Sequence, residues 1–526
     1  MINPGKNDTA WIAIISIIIL FLGSIPTWAG YRAETLNLRF RGIYFDSQDY
    51  AVHLATMEAG RNGEWSYQFR FTTEPHSPAY IRLFYVALGH ISRWLDWTPS
   101  FTFQAARWSL GFLALFSLYW LMQRVFPDRF WARTAFLLAA LGSGLGWLQL
   151  ILNWTPGQIT PIDFWLINDY VFFSLSMFPH FALVTAAMCV TLRLWLDFLT
   201  QPDWKKITLI AITTVLVQFV NPIAFATVDA GLFGAAIFSW WREKKIRRDQ
   251  LFALMMLAIV QIPLLAYNVI VLSSDPLWSQ FTAQNQTLSP PPIYYVWGFA
   301  LFWIPAILGF SVGLRTKQNA TGAAIFWILF GFLLAYAPFY IQRRFLQNIT
   351  IPLAILATVG LVRLFEITAA RHPAIFRRRS SLILLFVFLT SISSIQLGLS
   401  QTAYLQTHPE DLYYPSSLNR AVDWLSENAA YNDFILASEQ TAQILAQTTG
   451  LRAYLGHEME TLHYVTKKNE VQAFFQGRLP DLARHPIRWV IYGPLERQIG
   501  PGFEAPSTLE LVYDSQELQI FRVREE

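Results

Sequence analysis

Asp46 and Asp49 stand three residues apart in YFDSQDYAVHLATMEAG, and His53 follows Asp49 by four. If this stretch is helical, both carboxylates start near one face and the imidazole sits one turn beyond the second. Two carboxylates and an imidazole so arranged suit proton transfer or metal binding. The same residues also read as a surface helix capped by Asp46 or Ser47, with Ala51, Leu54, Ala55 and Met57 as its apolar side.

Other chemistry-bearing residues are scattered. Arg343 and Arg344, in YIQRRFLQNITIP, form a basic pair between apolar runs. Paired guanidiniums grip a phosphate diester through fixed N–H forks, and they equally anchor a protein to anionic headgroups. Arg107, near the start of another apolar run, has the same two readings. Asp163 and Asp169 lie in TPIDFWLINDY, a stretch with no basic residue, and Asp163 is the candidate there for a cation or a sugar hydroxyl. His180 sits inside an apolar run, where a polar group either has a function or bonds to a neighbouring helix. His457, Glu458, Glu460 and His463 cluster in YLGHEMETLHY after a predicted strand, as a recognition loop or a solvated turn.

The elements that position these residues belong to a membrane protein. Of 526 residues, 54% are hydrophobic, 16% aromatic and only 14% charged, and the mean hydropathy is positive. A soluble domain of this length carries far more charge. The near-balanced net charge of +4 argues against a nucleic-acid partner. The single cysteine, Cys189, excludes a disulfide framework within the chain.

Apolar runs near 10–29, 101–123, 134–152, 171–198, 206–221, 223–241, 251–272, 293–314, 321–340, 349–365 and 381–400 predict about eleven spans. The first lacks the basic flank and cleavage site of a signal peptide, so a retained helix is expected. Connections at 124–133, 242–250 and 363–379 carry three, five and five Lys or Arg, whereas 153–170 and 273–292 carry none. The positive-inside rule then predicts a cytoplasmic N-terminus and an external C-terminal segment. The stretch 78–97 contains Arg82, His90 and Arg93 among apolar residues at helical spacing, which predicts an amphipathic helix at the outer interface rather than a span. Residues 30–100 then form one large external loop of a transmembrane module, 1–400.

From about 401 the composition becomes that of a soluble domain. Strand-like DFILAS, LRAYLGH and IRWVIYGP alternate with helix-like SLNRAVDWLSENA and EQTAQILAQTTG, the latter closing on Gly450, and a terminal hairpin turns near Asp514. The expected fold is therefore a polytopic α-helical membrane protein with a small extracytoplasmic α/β domain at 401–526.

In order along its first 200 residues, the chain resembles the membrane-embedded GT-C glycosyltransferases, in particular the branch of aminoarabinose-to-lipid-A transferases and protein O-mannosyltransferases. The matching pieces are Asp46 with Tyr50-Ala51, MEAGRNGEW, EPHSP, the 78–97 helix, Arg107 in QAARWSLG, and Asp163 and Asp169. One departure is plain: Ser77 stands where the family has a lysine.

The resemblance implies that Asp46 acts as general base or orients the acceptor, with Asp49 beside it. It also implies that Glu74 or His76 joins Asp46 around a divalent ion, which oxygen and imidazole ligands allow to be Mg²⁺, Mn²⁺ or Zn²⁺. Arg107, Arg343 and Arg344 would then meet the phosphate of a polyprenyl-phosphate sugar donor. The implied activity is inverting transfer of a hexosyl or pentosyl group to a glycan, lipid or protein acceptor at the outer face of a bacterial plasma membrane. Two rivals use the same membrane architecture: a flippase or transporter of lipid-linked saccharide, and a glycan ligase or polymerase using diphosphate-linked donors. Transporters usually carry inverted repeats, and the sequence displays none.

Overall fold

A computed structural model describes residues 6–155, 159–372, 376–478 and 485–524. The connections expected over 153–170 and 363–379 fall partly outside these residues. The chain divides into two compact units, one of Met1–Ile25, Ala106–Tyr267 and Gln286–Ser400, the other of Pro26–Ala105, Asn268–Asn285 and Gln401–Glu526.

Every apolar run of the sequence becomes helical. Among the described residues, six helices are long and apolar enough to cross a membrane: Asp8–Arg32, Pro99–Val125, Pro179–Thr200, Arg248–Ser274, Thr350–Arg371 and Arg379–Leu405. A seventh candidate is the pair Pro292–Gly298 and Ala300–Thr316, bent by 89°. The expected count of about eleven treated each run as one continuous helix, and several are broken. The run 134–152 divides into Arg129–Leu141 and Gly146–Ile151 across a glycine-rich turn, where helix propensity is low. The run 171–198 divides at Phe178, which is extended at φ −126°, ψ 132°. Phe178 precedes Pro179, and the proline ring disfavours helical backbone in the residue before it.

The second unit is built on a five-stranded sheet. We number the strands β1 (Leu38–Phe40), β2 (Tyr413–Pro415), β3 (Phe434–Leu436), β4 (Arg452–Ala453), β5 (Ile487–Tyr492), β6 (Leu509–Asp514) and β7 (Gln519–Val523). The sheet order is β4-β3-β5-β7-β6, with β4, β3 and β5 parallel and the terminal hairpin antiparallel. This is the predicted α/β domain. The helix predicted to close on Gly450 is Glu439–Thr449, and Gly450 takes the left-handed φ of +73° that ends it.

The unit does not stop at residue 401. β1 pairs with β2, and Ala51, Val52, Ala55 and Phe71 are buried in one cluster with Leu418, Ala421, Ile435, Leu445 and Trp489. The apolar stripe of the Ser47–Arg61 helix thus packs on the C-terminal segment. Residues predicted as an appendage of the 1–400 module belong with the α/β domain. The amphipathic helix expected over 78–97 is Leu83–Trp94. It crosses Ser47–Arg61 so closely that a Cβ on Gly60 would lie 2.2 Å from the Val86 carbonyl, and one on Gly89 would lie 2.0 Å from that of Met57. Only glycine fits either position.

Candidate active site

In the second unit, Asp46 takes the N-cap position of the Ser47–Arg61 helix, but not as a capping residue. Its backbone is left-handed, φ 54° and ψ 55°, and its side chain makes no capping hydrogen bond. A good N-cap has extended backbone and lends its side-chain oxygen to the first free N–H groups. Asp46 is half-buried, and it shares its left-handed backbone with Arg82 and His463, which start two other helices of this unit.

One turn on, Asp49 meets His457. The His457 Nε2–H donates to Asp49 Oδ1 at 3.2 Å, while Nδ1 accepts from the backbone N–H groups of Met459 and Glu460 at 3.0 and 3.2 Å. The two backbone donors fix the tautomer that faces Asp49. Surrounding protein pushes the Asp49 carboxyl up, but the hydrogen bond and charge of His457, with His53 and Arg82 nearby, hold it well below the usual carboxylate range. Gln48 adds a second tie by accepting from the Glu458 N–H at 3.2 Å. The YLGHEMETLHY loop is therefore docked on the start of the Asp46 helix, and the solvated-turn alternative does not hold for His457, which is 5% exposed. Glu460, also buried, accepts from Tyr67 Oη at 2.7 Å and pairs with Arg82 at 2.8 Å.

Asp46, Glu74 and His76 do not assemble into the expected metal site. His76 Nε2 accepts from the Phe69 N–H at 3.0 Å, and Nδ1–H donates to the Glu74 carbonyl at 2.9 Å. Both ring nitrogens are occupied, and burial lowers the basicity of the ring. Glu74 is engaged by Lys467 Nζ at 2.7 Å and by the Thr72 hydroxyl. Among the described residues, no group of three or more His, Cys, Asp or Glu side chains is arranged to hold a metal ion. Ser77 itself brings no charge to this turn, and its backbone N–H donates to Asp275 Oδ2 at 3.2 Å.

In the first unit, Arg107 is 2% exposed and donates to the Ser176 carbonyl at 3.2 Å and to Ser24 Oγ at 3.0 Å. These bonds tie its helix to two others. Asp163 Oδ2 accepts from the backbone N–H groups of Gly144 and Gly146 at 2.8 and 3.2 Å, so this carboxylate fastens the turn between Arg129–Leu141 and Gly146–Ile151. Gly146 is needed there, since a Cβ would come within 2.9 Å of the Asp163 carboxyl carbon.

Asp169, which the sequence left second to Asp163, stands out instead. It is fully buried, and neither carboxylate oxygen has a hydrogen-bond partner among the described residues. Burial pushes its carboxyl well above the ordinary range, against the pull of the Arg343 charge. Arg343 lies over the Trp165 ring at 4.9 Å, and the Asn348 N–H donates to the Asn168 carbonyl at 2.8 Å. The turns bearing Asp169 and the Arg343–Arg344 pair are thus packed together. His180, expected inside the 171–198 run, lies in the first turn of Pro179–Thr200, just past the Phe178 break, its ring tilted at 43° to that of Phe181 with centroids 4.0 Å apart.

No protein-family model and no curated protein matches the chain. Among solved structures it is similar to ArnT from Cupriavidus metallidurans in the apo state, with 12% identity, a TM-score of 0.52 and 98% of each chain covered. It is also similar to the apo oligosaccharyltransferase of Archaeoglobus fulgidus, with 12% identity and a TM-score of 0.51, over 93% of this chain and 70% of that one. A third is the arabinofuranosyltransferase AftD from Mycobacteria, with 13% identity and a TM-score of 0.50, over 98% of this chain and 42% of that one. All three are GT-C membrane glycosyltransferases. At such identities the likeness establishes the fold, and the chain has the GT-C fold.

Proposed function

We propose that this protein is a membrane glycosyltransferase that moves one sugar from a polyprenyl-phosphate carrier to an acceptor at the outer membrane face, with Asp46 as base. The observation that carries the reading is the place of Asp46 at the start of a helix that the buried His457 locks through Asp49, in a chain with the GT-C fold. The Asp49–His457 pair fixes the helix on which Asp46 stands.

In the reaction, the acceptor hydroxyl oxygen attacks the anomeric carbon as its proton passes to Asp46. The bond from that carbon to the phosphate oxygen breaks, and polyprenyl phosphate leaves with the electron pair. A single displacement of this kind inverts the anomeric centre. Taken by itself, the Arg343–Arg344 pair of the first unit is proposed to bind phosphate, since guanidinium forks match phosphate oxygens.

The test is transfer of radiolabelled sugar from polyprenyl-phosphate donors by purified protein, wild type beside Asp46→Asn, with and without chelator. General-base loss predicts a rate fall of roughly 10²–10⁴-fold in the variant. Normal turnover by Asp46→Asn would remove it from the mechanism. Chelator sensitivity would establish that a divalent ion is required.

A further inference from the structure

The second unit contains a cleft of about 410 Å³, within the roughly 300–1,000 Å³ of ordinary ligand sites. It opens where α/β sheets bind ligands. β3 leads through Glu439–Thr449 to β4 on one side, and β4 leads through Tyr464–Phe475 back to β5 on the other. A crevice forms at the carboxyl ends of strands where the winding reverses in this way. Ser438 after β3, Leu455 after β4 and Leu495 after β5 all line it.

We infer that this cleft binds an uncharged saccharide. Five of its sixteen lining residues are glutamines, whose amides each present a donor and an acceptor together, as a sugar hydroxyl does. Two of them are already fixed: Gln48 donates to Glu439 at 2.9 Å, and Gln443 accepts from buried Arg41 at 2.7 Å. Three more lining amides, Gln440, Gln472 and Gln498, reach the surface. Arg41 is 5% exposed, and its Nε–H is buried without an acceptor. Between the amides, Leu455, Val471, Leu495 and Ile499 supply apolar surface for the C–H faces of a sugar ring.

Charge decides the ligand class. Arg41 and Lys468 are offset within the lining by Asp411 and Glu439, and Lys468 is tied to Glu439 at 3.2 Å. A phosphate-bearing ligand would meet the two carboxylates. The turn after β3 reads Ala437-Ser438-Glu439, without the glycines that let backbone approach a pyrophosphate. The site deepens the transferase reading by giving the acceptor glycan a holding place, and it rests on that reading for this role alone, since binding is measured without turnover.

The experiment uses the full chain in nanodiscs of synthetic phospholipid, free of sugar-headed detergent. Maltohexaose, mannohexaose, arabinohexaose and chitohexaose are titrated by saturation-transfer difference NMR, with inorganic phosphate as the anionic control. At least one oligosaccharide is expected to bind the wild type and Asp46→Asn alike, and at least about tenfold more weakly to a Gln440→Ala, Gln498→Ala double variant. Both substituted residues reach the surface, so the variant keeps its fold. The inference is overturned if none of the four binds, if the double variant binds as well as the wild type, or if phosphate displaces the bound sugar. Binding without transfer from any polyprenyl-phosphate donor would leave the cleft standing and remove the transferase reading. Transfer without binding would do the reverse.

Discussion

Lys467, in the C-terminal segment, places its Nζ 2.7 Å from a carboxylate oxygen of Glu74, and the lysine side chain is only 4% exposed. The threonine hydroxyls of Thr72 and Thr73 complete its surroundings at 3.4 and 3.5 Å. This pair holds the EPHSP turn against the α/β domain.

Lys467→Met should therefore destabilise the protein. Breaking one side of a buried pair costs about 3–5 kcal/mol, and the partial exposure of Glu74 reduces that to about 2–3 kcal/mol. Equilibrium unfolding in mild detergent measures it. Adding Glu74→Gln removes the stranded charge, so the double variant should be more stable than Lys467→Met alone. A double variant less stable than either single one would show that the two residues act separately.

The Asp49–His457 bond predicts a pH dependence whose sign follows from the carboxyl. In the unfolded chain an aspartate titrates near about 3.9, and in the fold Asp49 is held below that. The folded state then binds fewer protons over this range. Its stabilisation is complete above the unfolded value and declines as pH falls toward the folded one. Glu74, held below its ordinary value by Lys467 and Thr72 against the upward push of burial, adds with the same sign. The melting midpoint of the wild type should fall on acidification below about pH 4, and Asp49→Asn should flatten that fall. An unchanged slope in the variant would show that the bond contributes nothing.

Much of this was legible in the sequence, because it rests on local signals. The Ser47–Arg61 and Leu83–Trp94 helices follow from apolar spacing, and Gly450 marks a helix end through its own conformational freedom. Other features depend on pairings without a local signature. β1 and β2 are three residues each, too short to announce themselves, yet they join residues 26–105 to the C-terminal domain. Asp49 and His457 are 408 positions apart. His76 looked like a ligand because residue type shows what a side chain can do, while its availability depends on the Phe69 N–H and the Glu74 carbonyl.

The left-handed backbone of Asp46 makes its own forecast. A residue with a Cβ pays roughly 1–2 kcal/mol there, and Asn and Gly are tolerated best. Asn keeps the shape of the side chain and tolerates this backbone, so Asp46→Asn should unfold within about 0.5 kcal/mol of the wild type, while Asp46→Gly relieves the backbone cost and should be at least as stable. A Gly variant clearly weaker than the wild type would mean that the carboxylate supports the fold.

Asp163 and Asp169 lie six residues apart in one stretch and should respond oppositely. Asp163→Ala strands two buried backbone N–H groups, those of Gly144 and Gly146, at a cost of about 1–3 kcal/mol. Whatever protein remains folded should transfer sugar normally. Asp169 accepts no hydrogen bond from the described residues, so Asp169→Asn removes a costly buried carboxyl without breaking a bond, and its melting midpoint should equal or exceed that of the wild type. If the carboxyl is kept for the reaction despite its cost, transfer per folded molecule should fall by at least about tenfold. Stability and turnover measured on the same samples separate the two aspartates. Normal transfer by Asp169→Asn would leave its burial without a functional reason, and lost transfer by folded Asp163→Ala would return to Asp163 the contact with a cation or a sugar hydroxyl that the sequence suggested for it.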